Sequence, residues 1–356
     1  MAQLRWQKPA NGSDTLAIAQ IRWQRTVSPN FPSVQLTASS ITCRCLAALV
    51  APNDHETPLL IMVRSRADRG NLLGRLRPRW QAVAVSTDET PLAIWGNGAA
   101  ASKAHRRQDV VLHAAGPWSR SVMALLKHLE AVGFEGAPRP VGDGFDADGR
   151  EVITYIPGTT PHPEAWDDQA IAALGALVRR LHDATESFQP PADASWQPSF
   201  ARRLPGNHPV IGHGDLGPWN VVAQDGVPVA FIDWEFAGPV DALWELAETA
   251  WLNAQLHDDD IAERVGLPPA VRRGQQVRLL LDAYGLPAAE RAGFVDRMIE
   301  FAVYSARSEA IRYGVTPDTA TAVDPSGYPV LWAITWRARS ASWMLRHRQM
   351  LERALT

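Results

Sequence analysis

The stretch over residues 210–235 constrains this chain more than any other part of the sequence. It reads VIGHGDLGPWNVVAQDGVPVAFIDWE, with His213, Asp215 and Asn220 in one short segment. Two glycines and a proline interrupt regular structure there, which predicts a loop between two short strands. The apolar run that follows predicts a buried strand, and Asp233 stands at its end. The pattern therefore predicts that three oxygen-bearing side chains converge in one place.

These residue types suit magnesium-dependent phosphoryl transfer from a nucleotide. One carboxylate orients and deprotonates an attacking hydroxyl group, while an amide oxygen and a second carboxylate hold the metal ion against the phosphates. Because Mg²⁺ keeps water and phosphate oxygens as its other ligands, one Asn and one Asp are enough protein ligands. The alternative is a turn and a strand end that carry ordinary surface acids. The order and spacing of all the pieces together favour the phosphoryl-transfer site.

The run HGDLGPWNV…FIDWEFAGPVDALWELA resembles the aminoglycoside phosphotransferase and choline kinase family. Position by position, the resemblance implies that Asp215 is the catalytic base and that Asn220 is a metal ligand. It implies that Asp233 is the principal metal ligand. His213 would support the catalytic site structurally, with its ring bonded to backbone near Asp233.

The same resemblance implies an α+β, protein-kinase-like fold with two lobes. The small lobe is expected to be mixed and rich in β-strands, and the larger lobe mostly helical. We expect a basic, weakly ordered extension at residues 1–85, a small nucleotide-binding lobe at 86–157 and a large catalytic and substrate lobe at 158–356. The implied activity moves the γ-phosphate of ATP, or GTP, to a hydroxyl of a small molecule with Mg²⁺ as cofactor.

Two segments before the catalytic stretch are candidates for nucleotide binding. The turn around Gly96 and Gly98 precedes the strand-like run at residues 110–112, and it is either a loop over the phosphates or a plain hairpin turn. Further on, the strand EVITYI ends at a Pro-Gly pair. In the resemblance this strand enters the hinge between the lobes, so backbone groups of Tyr155 and Ile156 would meet the adenine edge.

The family pattern fails where a lysine that binds the phosphates is expected. His113 stands at that position, and the acid expected on the next helix falls near Val122 or Met123. Imidazole is largely neutral at pH 7 unless its pKa is shifted, so Lys103 or Arg106 is a possible substitute. The departure supports an alternative function, a kinase-like pseudoenzyme that binds nucleotide without efficient catalysis.

Composition sets limits on the other function classes. Residues 1–85 hold 11 Lys and Arg against 4 Asp and Glu, although the whole chain has a net charge of -3. The basic segment is interpreted as a non-functional extension, with docking of nucleic acid or a partner as the alternative, and nucleic acid is not an expected partner of the whole chain.

No apolar run reaches the ~20 residues that span a bilayer, so we expect a cytoplasmic protein without a membrane partner.

Several acids surround the predicted site. Asp241 and Glu245 lie four residues apart on a predicted helix; we interpret them as structural, with substrate contact as the alternative. Glu235 is a candidate for contact with the metal shell or with a cationic substrate. The acidic run at residues 258–260 is expected to be a solvated turn, or to steer a cationic substrate if it lines the cleft.

Overall fold

The computed structural model describes residues 89–92, 104–320 and 329–356, together with the backbone of four short strands nearer the N-terminus. The chain divides into two compact units, residues 1–87 and 88–356. The division into an extension and two lobes, with its predicted boundaries, stays a prediction.

The first unit contains two antiparallel strand pairs. The strand β1 pairs with β2, and β3 pairs with β4. Their bounds are β1 Trp23–Gln24, β2 Ser33–Val34, β3 Leu60–Arg64 and β4 Trp80–Ala84. The other residues of the predicted basic extension lie outside the described part of the chain.

The second unit begins with a five-stranded antiparallel sheet. Its strands are β5 Thr90–Pro91, β6 Ala104–Arg107, β7 Val110–His113, β8 Pro140–Phe145 and β9 Glu151–Thr154. They are arranged in the order β5-β6-β7-β9-β8. Successive side chains of a strand point to opposite faces. Leu112 and Val152, which are paired across β7 and β9, are buried on one face. Their neighbours His113 and Glu151 therefore lie on the other face.

A helix connects the middle of this sheet to its edge. This helix, α1, spans Ser119–Ala131 and buries one side through leucines at positions 125, 126 and 129, which is the spacing of an amphipathic helix. Ser119 is the first helical residue, and the N-cap is Trp118. The hydroxyl of Ser119 accepts a hydrogen bond from the Gly116 N–H at 2.8 Å, outside the helix.

Two antiparallel strand pairs follow and carry residues 210–235. Their strands are β10 Pro209–Gly212, β11 Val221–Gln224, β12 Val227–Phe231 and β13 Gly238–Asp241. The strand β10 pairs with β13, and β11 pairs with β12, both antiparallel. The loop predicted to separate two short strands therefore lies between β10 and β11.

The rest of the second unit is helical. The helices are α2 Asp168–Thr185, α3 Ala242–Asn253, α4 Asp259–Val265, α5 Ala270–Tyr284, α6 Phe294–Arg312, α7 Val330–Arg346 and α8 Arg348–Leu355. The apolar pattern over residues 288–313 predicts one helix, but Gly293 interrupts it in the left-handed conformation and α6 begins at Phe294. The pattern over residues 330–354 predicts a single helix, which is broken at His347.

The hydrophobic core lies mainly among these helices and the strands β11, β12 and β13. The helix α2 contributes one fully buried face, which includes Ile171, Leu174 and Leu181, and Phe231 of β12 is buried in the same cluster. This packing holds the β11–β12 pair against α2. None of the helices in the described part of the chain is long and apolar enough to cross a membrane.

Candidate active site

The β11–β12 pair brings Asn220 and Asp233 to the same end of one hairpin. Val221 pairs with Phe231 in the last register position. One residue further out, the Ile232 N–H donates to the carbonyl oxygen of Asn220 at 3.0 Å. Asn220 is thus itself a paired backbone position, and Asp233 is the next residue after its partner. The two residues predicted to bind metal therefore lie at the same end of the strand pair.

The backbone at Asp233 is held in an uncommon conformation. Asp233 has φ 62° and ψ 64°, in the left-handed region, which costs a non-glycine residue on the order of 1 kcal/mol or more. The turn that follows is clamped by Arg202, whose guanidinium donates to the carbonyl oxygens of Phe236 at 3.1 Å and Ala237 at 2.9 Å. The surrounding contacts thus impose the direction in which the Asp233 side chain leaves the strand. The sequence gives no local signal for the role of Arg202.

Asp215 and Asn220 contact each other directly. The Asn220 amide nitrogen donates to the carboxylate and to the backbone carbonyl of Asp215, both at 2.9 Å. Desolvation raises the pKa of Asp215 from 3.8 to about 6, against the opposing effects of Arg337 and of hydrogen bonds from Trp219 and Asn220. Asp215 is therefore a carboxylate whose pKa lies close to neutrality, as a general base at pH 7 requires.

His213 is completely buried and lies behind the catalytic loop. Its Nε2 bonds to the carbonyl oxygen of Ile232 at 2.9 Å, next to Asp233, in the position that the family resemblance implies. Burial lowers the pKa of His213 to about 4, more than nearby Glu245 raises it. The ring is consequently neutral at pH 7 and donates this bond from Nε2. Its buried place suits a structural role.

Glu245 anchors the loop that carries Asp215. Its carboxylate accepts the Gly214 N–H at 2.6 Å and bonds to His182 Nε2 at 2.7 Å, and His182 Nδ1 contacts the Tyr284 hydroxyl at 2.8 Å. His182 is therefore a buried histidine with both ring nitrogens bonded. The partners of Glu245 lower its pKa although burial, the largest effect, raises it. The structural interpretation of Glu245 is confirmed.

Asp241 also has the structural role expected of it. It is the N-cap of α3, and its carboxylate accepts the N–H groups of Leu243 at 3.0 Å and Trp244 at 3.3 Å. It also accepts the N–H of His208 at 2.8 Å, before β10. Asp241 therefore fixes the helix that carries Glu245 to the strand that enters the catalytic loop.

The acidic run at residues 258–260 ties two helices together. Asp258 is the N-cap of α4 and accepts hydrogen bonds from Arg339 and Arg346 of α7 at 3.0 and 2.6 Å. These partners hold the pKa of Asp258 below its ordinary value, although burial, the largest effect, raises it. The run is therefore an ion-paired helix contact, and the expectation of a purely solvated turn is wrong because α7 supplies two arginines.

The residues predicted to form the hinge, Tyr155 and Ile156, directly follow β9. The Tyr155 N–H donates to the carbonyl oxygen of Asp109 at 2.8 Å, so an adenine edge would meet the Tyr155 carbonyl and the Ile156 N–H. The guanidinium of Arg106 lies 3.7 Å from the centre of the Tyr155 ring. Lys103 and the glycine turn at residues 96–98 lie outside the described residues.

His113 has an acidic partner, but that partner is on a strand. The His113 Nδ1 lies 3.3 Å from a carboxylate oxygen of Glu151, its register partner on β9. Val122 and Met123 of α1, where the family pattern predicts an acid, are buried in the apolar core. Family spacing along the helix does not predict Glu151, because sheet register places this residue beside His113.

Aromatic rings from four segments form a series of contacts that begins at Trp219, beside Asp215. The Trp219 ring lies 5.5 Å from that of His162 and 6.5 Å from that of Trp336 on α7. The Trp336 ring also stacks on Trp251 at 5.5 Å. We call the rings of Trp219 and Trp336 the aromatic wall. The sequence did not predict it, because the two residues are far apart along the chain.

An acid on α3 lies near the same wall. Burial raises the pKa of Glu248 well above its ordinary value, and the neighbouring charges of Asp215 and Glu245 act in the same direction, while Arg337 opposes them. Arg337 contacts Ser305 of α6 through a hydrogen bond of 2.8 Å. This side of Asp215 therefore combines flat apolar rings with a carboxyl group that resists ionisation.

Known proteins match this chain in sequence and in fold. Residues 196–274, which include the whole catalytic stretch, match the phosphotransferase enzyme family APH. The trifolitoxin immunity protein of Rhizobium leguminosarum bv. trifolii is 55% identical over 250 residues, which are 70% of this chain and 94% of that protein.

Among solved structures, the amicoumacin kinase hAmiN, in complex with AMP-PNP, Ca²⁺ and its ligand Ami, superposes with a TM-score of 0.51. The match has 16% identity and covers 76% of this chain and 89% of that structure. This likeness establishes a protein-kinase-like fold, in agreement with the small sheet and the helical remainder. Taken together, the catalytic stretch, the fold and the sequence matches show that the chain belongs to the APH phosphotransferase enzyme family, the family of aminoglycoside phosphotransferases and choline kinases.

Proposed function

We propose that the protein is a Mg²⁺-dependent kinase that transfers the γ-phosphate of ATP, or GTP, to a hydroxyl group of a small molecule. The observation that carries the proposal is the contact between Asp215 and Asn220 at the end of the hairpin that also presents Asp233. A base and two metal-binding oxygens are the parts that phosphoryl transfer needs, because catalysis rests on positioning and electrostatic stabilisation.

Asp215 acts as the base in this proposal. With a pKa of about 6, most of the carboxylate is ionised at pH 7, and it still accepts a proton more readily than an ordinary aspartate. The Asn220 amide holds one carboxylate oxygen of Asp215, and in this proposal the carboxylate orients the attacking hydroxyl. The hydroxyl proton passes to Asp215 as the oxygen attacks the γ-phosphorus. The bond from that phosphorus to the bridging oxygen breaks, and ADP or GDP leaves.

Asn220 and Asp233 would hold the metal ion. The Asn220 amide nitrogen is directed at Asp215, so its side-chain oxygen faces away from the base and remains as the metal donor. Asp233 adds a carboxylate, and these hard oxygen donors fit Mg²⁺ with phosphate and water oxygens as its other ligands. When bound, the ion would neutralise charge on the phosphates. His213 and Arg202 keep the backbone around Asp233 in place.

The nucleotide would enter between the hinge and the sheet. The Tyr155 carbonyl and the Ile156 N–H would bind the adenine edge, and His113 would face the phosphates, with Lys103 as a further candidate. The aromatic wall of Trp219 and Trp336 would bound the other side of Asp215, where the acceptor binds.

The acceptor that we propose is the toxin named by the 55% identical relative, or a toxic compound related to it. A kinase that modifies a toxin would protect its host cell, which agrees with the relative's description as an immunity protein. The alternative is immunity by binding alone, in a kinase-like pseudoenzyme, and the replacement of the expected lysine by His113 is the observation that favours it.

The test combines chemistry with protection. The purified full-length chain is incubated with trifolitoxin and Mg-ATP, and ADP release is measured together with the mass of the toxin. We expect one added phosphoryl group with the native chain and none with Asp215→Asn. Protection of toxin-sensitive cells should be lost in the same variant. Protection that survives Asp215→Asn without any ADP release would instead establish the pseudoenzyme.

A further inference from the structure

The sheet face that carries His113 points toward the predicted metal site. His113 and Glu151 lie on the face opposite Leu112 and Val152, which are buried. The acids Asp233 and Glu235 both act electrostatically on the His113 ring. The imidazole therefore lies on the side of the small sheet where nucleotide phosphates would meet the metal-binding loop.

Sheet register fixes the partner of this imidazole. His113 and Glu151 are direct partners across β7 and β9, and His113 Nδ1 lies 3.3 Å from the Glu151 carboxylate. Both side chains are mostly buried, with exposed fractions of 19% and 12%. On the other flanking strand His113 faces the small Ala104, so β6 places no charged side chain directly opposite it.

We propose that the His113–Glu151 pair replaces the lysine–glutamate pair of the kinase pattern, with protonated His113 as the phosphate-binding cation and strand-borne Glu151 as its positioning partner. The inference rests on the proposed function and adds a regulatory property to it: nucleotide affinity depends on pH. A lysine at this place keeps its charge at all physiological pH values, whereas imidazole titrates within that range.

The electrostatic surroundings favour the charged ring. Burial lowers the pKa of His113, but the hydrogen bond and charge of Glu151, followed by the charges of Asp233 and Glu235, raise it above 6.5 overall. The charged form is present below the pKa of the folded protein and is lost as the pH rises through it. Phosphate affinity should therefore be highest on the acid side and fall as the pH rises.

The ring geometry also leaves a donor for the phosphates. Nδ1 is the atom that contacts Glu151, and in the protonated ring both nitrogens are donors. Nε2, on the far side of the ring, is then the atom that would donate to a phosphate oxygen. Glu151 would fix the plane of the ring, as the acid in a lysine–glutamate pair fixes its lysine.

The experiment measures Mg-ATP affinity by calorimetry on the full chain from about pH 6 to about pH 9. Four variants are compared with the native chain: His113→Lys, His113→Gln, Glu151→Gln and the control His105→Gln. His105 lies on β6 with its register partner Leu112 on the opposite, buried face, so its loss should leave the pH profile unchanged.

We expect the affinity of the native chain for Mg-ATP to fall about 10- to 100-fold as the pH rises over this range. This factor corresponds to the loss of one charge-assisted hydrogen bond. His113→Lys should bind tightly with a flat profile, and His113→Gln weakly with a flat profile. Glu151→Gln should shift the fall to lower pH. The shift and the lysine rescue are results that a merely structural histidine would not produce.

Two outcomes would overturn the inference, and they differ from failure of the proposed function. In the first, His113→Gln shows the same dependence of Mg-ATP affinity on pH as the native chain. In the second, His113→Lys binds Mg-ATP no better than His113→Gln at high pH. Either result would show that His113 does not bind the phosphates, while the kinase assignment stands. No Mg-ATP binding by the native chain at any pH would instead refute the proposed function, and the inference with it.

Discussion

Replacing Asp215 with Asn should stabilise the folded protein at neutral pH while it abolishes catalysis. The pKa of this carboxyl is about 6 in the folded chain and 3.8 ordinarily. Because the pKa is raised in the folded state, this carboxyl does not lower the free energy of unfolding at low pH, where it is protonated in both states. It lowers that free energy increasingly as the pH rises toward 6. Each pKa unit corresponds to ~1.4 kcal/mol, so the cost approaches about 3 kcal/mol above pH 7.

The neutral amide removes that cost. Unfolding in guanidinium chloride without Mg²⁺ should therefore show a higher free energy of unfolding for Asp215→Asn. The increase should be about 3 kcal/mol at pH 8 and about 1 kcal/mol at pH 4.5. Asp193→Asn, at an exposed position, serves as the control and should change little at either pH. An equal effect of Asp215→Asn at both pH values, or a loss of stability at pH 8, would refute the assigned burial and charge environment.

Two further perturbations test the supports of the site. Glu245→Ala leaves the Gly214 N–H and His182 Nε2 without their shared partner. Denaturant unfolding should therefore show a free energy of unfolding lower by about 2–5 kcal/mol. A decrease of less than about 1 kcal/mol would contradict the anchoring role. Trp336→Ala should raise the KM for the acceptor and leave that for the nucleotide unchanged in steady-state kinetics. Trp332→Ala, on the same helix but exposed, is its control, and equal effects of both would remove the aromatic wall from the acceptor site.

The sequence predicted the parts of the site that follow from local order along the chain. Breaks at glycine and proline predicted the loop between two short strands, and an apolar run predicted the buried strand that ends before Asp233. The Asp167 cap of α2 was also predictable, and its side chain accepts the Ala170 N–H at 2.7 Å. These features depend on neighbours within a few residues, which a single sequence displays.

Other features depend on packing between distant segments, and the sequence did not reveal them. Glu151 becomes the partner of His113 only through strand register, and Arg202 reaches Phe236 across 34 positions. The aromatic wall joins Trp219 to Trp336 through the placement of α7. Helix ends were predicted less well than helices, as the break at His347 illustrates, since apolar periodicity continues across it.

The most direct test of the phosphotransferase assignment is the melting temperature of the full chain with Mg-ATP, compared with Mg²⁺ alone and with ATP in chelator. Ligand at about 100 times its Kd stabilises by ~2.7 kcal/mol, which raises the Tm of a chain this size by about 4 °C. The matched variant is Asp233→Asn, because asparagine tolerates the left-handed backbone but lacks the charge. We predict a metal-dependent rise that this variant loses; no rise, or the same rise in Asp233→Asn, would contradict the account.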